Sequence, residues 1–224
     1  MVTVRRQTRS LSLATLFFIC ALSVAAQAEA ALIGITAGAK PDIFSSSIMV
    51  DYVYDSVTDE GSFEAHGIAT SYEDSGGLES ISPPAGGTFD LSIKVKSSGA
   101  VLPGGTLTIG GALSGAPGPL LLAGTIKAFG FTTVPGENIF DFRFDVTGGD
   151  LADEMGPEVG TILTSFTGFF TGSLEDDFHS FIPSAVADTF PTPEPTSVIT
   201  WATLCAIGIT FSCYRRSIAK TTRT

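Results

Sequence analysis

The side chains able to do covalent chemistry are few. Two histidines, His66 and His179, and three cysteines, Cys20, Cys205 and Cys213, are the whole stock of soft metal ligands and thiols in 224 residues. The cysteines fall in apolar stretches near the two ends, so between Ala31 and Thr192 no disulfide or thiolate metal site can form. There is no Gly-x-Ser-x-Gly elbow and no His-Glu-x-x-His helix. Gly104-Gly105, Gly110-Gly111 and Gly148-Gly149 lack the following Lys and helix start that a phosphate loop needs. The two histidines read as surface residues, too few for a zinc site. Carboxylates, by contrast, are plentiful. Calcium wants hard oxygen donors gathered in loops, and Asp55 with Asp59 and Glu60, Asp150 with Asp153 and Glu154, and Glu175 with Asp176 and Asp177 are such groups. None follows the EF-hand order, so they read first as solvated acidic loops. Glycoside hydrolysis asks only for two carboxylates roughly 5–10 Å apart; many acids permit many chance pairs, and no pair stands out. A sugar-binding platform needs exposed aromatic rings, for which Tyr52, Tyr54 and Tyr72 are the candidates, against their packing in the core with hydroxyls at the rim. The residues therefore name no catalytic, cofactor or metal site, and the chain reads as a non-enzyme.

The elements that must position these groups are strands. Phe89, Leu91, Ile93 and Val95 alternate with polar residues, as do Phe140, Phe142, Phe144 and Val146, the period of a strand with one buried face. Weaker strands are expected over 48–55, 62–71, 106–111, 120–131 and 161–171, the fourth of these bulged near Ala128, where the apolar parity shifts. Turns with Pro or Gly, such as Val134-Pro135-Gly136-Glu137 and Leu102-Pro103-Gly104-Gly105, separate them. A short helix is expected near 150–159. Seven or more short strands without an amphipathic helix predict an all-β fold, an antiparallel β-sandwich or jelly roll. An outer-membrane barrel is disfavoured, because the Phe rows alternate with charged positions rather than forming a lipid-facing band.

Composition divides the chain further. It is 44% hydrophobic and carries a net charge of -11, but residues 31–192 hold 21 acidic and 5 basic side chains. So acidic a domain argues against nucleic acid or anionic lipid as partners. Arg5, Arg6 and Arg9 precede an apolar run and the small-residue sites ending at Ala28 and Ala30, the order of a secretory signal peptide over 1–30. At the other end, 198–214 is 17 uncharged residues followed by Arg215-Arg216. A helix of that length covers about 26 Å against a ~30 Å hydrocarbon core. The basic cluster after it places the C-terminus in the cytoplasm and the acidic domain outside. Three prolines within 190–197 predict an extended stem.

Pro193-Glu194-Pro195, the apolar span and Arg215-Arg216, in that order and on a chain with a signal peptide, resemble the PEP-CTERM sorting signal of exopolysaccharide-producing bacteria. The stretches 120–131, 140–144 and 146–152 also look like ectodomains that often accompany this tail. The resemblance implies a substrate of exosortase, an integral-membrane transpeptidase-like enzyme acting near the Pro-Glu-Pro. In that picture Pro193, Glu194 and Pro195 are recognised, 198–214 holds the chain in the lipid bilayer, and Arg215 and Arg216 stop translocation. The expected organisation is a signal peptide (1–30), an acidic β-sandwich ectodomain (31–189), a Pro-rich stem (190–197), a transmembrane helix (198–214) and a basic cytoplasmic tail (215–224). The expected role is that of an exported, surface-sorted structural or matrix protein, associated with exopolysaccharide. A carbohydrate- or calcium-binding module is the alternative, ahead of a glycoside hydrolase.

Overall fold

A computed structural model describes residues 32–35, 40–82, 87–114, 118–166, 170–180 and 182–192. The expected signal peptide with Ala28 and Ala30, the Pro193-Glu194-Pro195 motif, the expected span and Arg215-Arg216 lie outside the described residues. Among those that are described, no helix is long and apolar enough to cross a membrane.

Among the described residues, ten strands and one helical turn follow one another: β1 (Asp42–Asp55), β2 (Glu60–Asp74), β3 (Gly77–Ser80), β4 (Thr88–Val95), β5 (Thr106–Gly110), β6 (Leu120–Val134), β7 (Glu137–Gly148), α1 (Ala152–Met155), β8 (Glu158–Ser165), β9 (Phe178–His179) and β10 (Ala185–Pro191). All pairings are antiparallel. The order β2-β4-β5-β6-β7-β8-β10-β1 returns to β2 through the β1–β2 pairing, so eight strands close into a barrel. The chain is all-β as the sequence predicts, but the expected two-sheet sandwich is replaced by this closed ring. Period-two alternation states only that each strand has one buried face, which a sandwich and a barrel satisfy equally. Closure rests on β1 meeting β10, a pairing between residues near 43 and residues near 189, and no local pattern encodes it.

A bulge in β1 makes this pairing possible. Ile43 and Ser45 point inward, then the register slips between Ser45 and Ile48, with Ser47 at φ 53°, and Ile48, Val50 and Tyr52 resume the inward row. The extra residue bends and twists the strand, so one flank of β1 pairs with β10 along 43–48 and with β9 at 51–52. A second bulge between Ile126 and Ala128 in β6 falls where the parity shift predicts it. The hairpin β6–β7 turns on Pro135-Gly136, with Gly136 at φ 89°, as a turn needing Pro then a positive-φ glycine requires.

The barrel is filled, not hollow. Phe63 packs against Phe140 and Phe142 with ring centroids 5.1 and 5.3 Å apart, and Phe178 stacks on Tyr52 at 5.0 Å. A void of about 10 Å³ beside Val50, Phe140 and Phe178 has room for one water molecule at most. The chain leaves the barrel later than the stem assignment implies. β10 runs through Pro191 and Phe190 is buried, so the first two residues assigned to the stem belong to the wall. Thr192 then donates its amide to the Glu158 carbonyl at 3.1 Å and its hydroxyl to Glu158 Oε1 at 2.9 Å.

Candidate functional site

With the interior closed, chemistry has to be sought on the wall. Six of the nine acids that the sequence offered as calcium ligands accept hydrogen bonds from neighbouring groups of the chain. Asp55 accepts from the Val57 amide at 2.9 Å and the Thr58 hydroxyl at 3.0 Å, closing the β1–β2 turn, and those bonds hold its carboxyl below the usual carboxylate range. Asp59 accepts from Tyr54 Oη and the Ser97 amide. Asp150 accepts from the Gly118 amide at 2.9 Å, Glu154 from Tyr72 Oη at 2.5 Å, Asp176 from Thr171 and Asp177 from the Tyr54 amide. Among the described residues no three His, Cys, Asp or Glu side chains are grouped to hold a metal ion.

The tyrosines do not form a sugar platform. Tyr52 is wholly buried, its hydroxyl donating to the Leu174 carbonyl at 2.7 Å, and burial drives its ionisation far upward. Tyr72 is buried, with its hydroxyl on Glu154, and Tyr54 is half-buried against the core. Their rings pack in or against the core, the alternative that the sequence left open to exposed rings. The open hollow beside α1, about 450 Å³, is lined by Val146, Thr147, Ala152 and Pro157 and has Asp153 as its one ionisable group. A lone carboxylate there has no partner for glycoside chemistry.

What remains is the outer face of β9, β1, β2 and β4. Register brings His179, Asp51, Glu64 and Ser92 into one cross-strand row, and Met49, His66 and Asp90 into the next. Asp51 and Glu64 stand directly opposite, a repulsive pairing on a sheet. It is relieved because His179 pairs with Asp51, while His66 lies 2.8 Å from Asp90 through Nδ1 and 3.7 Å from Glu64 through Nε2. Exposed Phe44, Met49, Val53 and Ile68 lie on β1 and β2 beside these charges. The face thus mixes apolar contact area with acids that pair with two imidazoles. Sequence reasoning took each histidine alone; nothing local announces that residues 66 and 179 flank the same strand, because β9 reaches β1 across more than 120 positions.

The hydrogen bond to Asp90 is the main cause raising the His66 pKa above its ordinary value, with Glu64 adding to it against partial burial. A pKa raised in the fold means that the imidazolium's contribution is complete below the unfolded pKa, near 6.5, and disappears as pH rises through the folded value. We expect an NMR titration of His66 to give a midpoint above 6.5, and Asp90→Asn to bring it down.

In comparisons with known proteins, no family model, no curated protein and no solved structure matches the chain.

Proposed function

We propose that the chain is an exported, surface-sorted structural or matrix-interaction protein, tethered by residues 198–214 and processed by an exosortase-type transpeptidase near Pro193-Glu194-Pro195. One observation carries this reading: the order of Pro-Glu-Pro, an uncharged 17-residue stretch and Arg215-Arg216 on a chain that opens with a signal-peptide pattern ending at Ala28 or Ala30. With the barrel filled, binding falls to the outer wall, where the β1–β2 face offers mixed apolar and acidic contacts. Its partners on this reading are the processing enzyme, the bilayer through 198–214 and an extracellular polysaccharide.

Mass spectrometry of the protein isolated from the extracellular fraction of its host tests the proposal. A C-terminal peptide ending close to Pro193-Glu194-Pro195 is the expected result. Peptides from 207–224 in that mature form would contradict it.

A further inference from the structure

Asp141 sits where a carboxylate is out of place. It alternates with inward Phe140 and Phe142, so it points to the outside of the barrel, yet it is only 2% exposed. One of its oxygens, Oδ1, is buried without a hydrogen-bond partner, and the carboxylate accepts the backbone amide of Ile35. Ile35, ahead of β1, therefore lies on this wall. Ile35 also fits where β8 has no side chain: a Cβ on Gly160 would fall 2.6 Å from Ile35 Cγ2 and 2.9 Å from Thr192 Cγ2. Gly160 stands opposite Arg143 on β7 and Phe190 on β10, so the strap, the chain exit and the β7–β8–β10 wall meet at one point.

We propose that residues 32–35 form a proton-gated strap, docked on the β7–β8–β10 wall while Asp141 is neutral and released when Asp141 ionises beneath it. The inference stands independently of the sorting tail. Burial is the chief cause that pushes Asp141 up to about 6 from an ordinary 3.8, against the lowering effect of the Ile35 amide. Docking leaves the acid desolvated, so the docked state holds the proton more tightly than the open one, and by linkage docking weakens as pH rises through the interval between those values.

The basic groups around this wall are paired with other acids, and burial rather than a neighbouring charge raises Asp141. Asp188 on β10 shares Ile162 of β8 as its cross-strand neighbour with Asp141, and burial followed by repulsion from Asp42 on β1 pushes Asp188 up to about 6 as well. Lys40 is engaged by Glu73. Arg143 Nε lies 3.2 Å from Glu158 Oε1, and Lys127 of β6 divides itself between Glu158 and Asp145. The strap residues Leu32, Ile33, Gly34 and Ile35 carry no charge.

Hydrogen exchange on the full-length chain in detergent micelles reads the strap through the Ile35 amide. Taking the ordinary 3.8 of a solvated acid for the open state and about 6 for the docked one, the protection factor of Ile35, corrected for intrinsic chemistry, should fall about tenfold between pH 5 and pH 7. Asp141→Asn should keep the protection and remove its pH dependence. Gly160→Ala should strip protection from Ile35 at both pH values while the amides of Phe140 and Leu163 stay protected, which keeps the test open if the Asn variant does not fold. Equal protection of Ile35 at the two pH values in the wild type, wild-type pH dependence in Asp141→Asn, or full Ile35 protection in Gly160→Ala would each overturn the proposal.

Discussion

Phe63→Ala should cost about 3–5 kcal/mol, among the largest losses expected from one residue. The Phe63 ring lies within 6.5 Å, centroid to centroid, of Tyr52, Phe129, Phe140, Phe142 and Phe178. It is fully buried, and its position on β2 places it opposite Tyr52 of β1 and Ile93 of β4. Truncation removes the ring's contacts and leaves a cavity in a barrel whose closed hydrogen-bond ring limits collapse. For a domain of this size each kcal/mol shifts the thermal midpoint by roughly 2–4 °C, so calorimetry should show a drop of about 6–20 °C. A change under about 2 °C would mean that the aromatic cluster is not the core of the fold.

Gly149→Ala is the second. At φ 109° this position lies in a backbone region that side chains rarely enter. A Cβ there would fall 2.4 Å from the Leu121 carbonyl oxygen, 2.6 Å from its carbon and 2.6 Å from Leu122 Cα, all of them main-chain atoms that no rotamer can move. Retreat is blocked as well, since the Asp150 and Leu151 amides donate to the Leu120 and Leu121 carbonyls at 3.0 and 2.9 Å. Strain and overpacking each contribute about 1–3 kcal/mol, giving about 2–6 kcal/mol, to be read as a lower urea midpoint with an unchanged slope. Gly148→Ala, one residue earlier with open space around its Cβ position, is the control and should stay near wild type. Equal midpoints for the two variants would remove the close approach of this loop to β6 from the account.

Much of the barrel was written in local pattern. The Phe89–Val95 and Phe140–Val146 rows became β4 and β7, the parity shift near Ala128 became a bulge, and Leu151-Ala152-Asp153-Glu154-Met155 gave the single turn of α1 before Gly156 at φ 78°. Other parts were hidden for physical reasons. β1 begins six residues before the expected Ile48, because the bulge at Ser45-Ser46-Ser47 breaks the alternation that would have shown it. β10 turns Ala185, Ala187 and Thr189 inward, small residues that leave little hydrophobic signal. β8 starts at Glu158, where a charged residue opens the strand because Lys127, Arg143 and Thr192 meet it on the outer wall. The His66 and His179 face and the buried Asp141 depend on strands distant in sequence, so chemistry that looked ordinary residue by residue became specific only through closure.

Closure is therefore the claim on which the filled interior, the outer-wall site and the strap all rest, and the β1–β10 seam tests it most directly. In solution NMR, backbone nuclear Overhauser contacts should link Ile43 with Thr189 and Ser45 with Ala187, and the amides of both strands should exchange as slowly as those of β4 and β7. Absent cross-strand contacts, with β1 and β10 exchanging like free edges, would contradict the barrel and restore an open two-sheet arrangement.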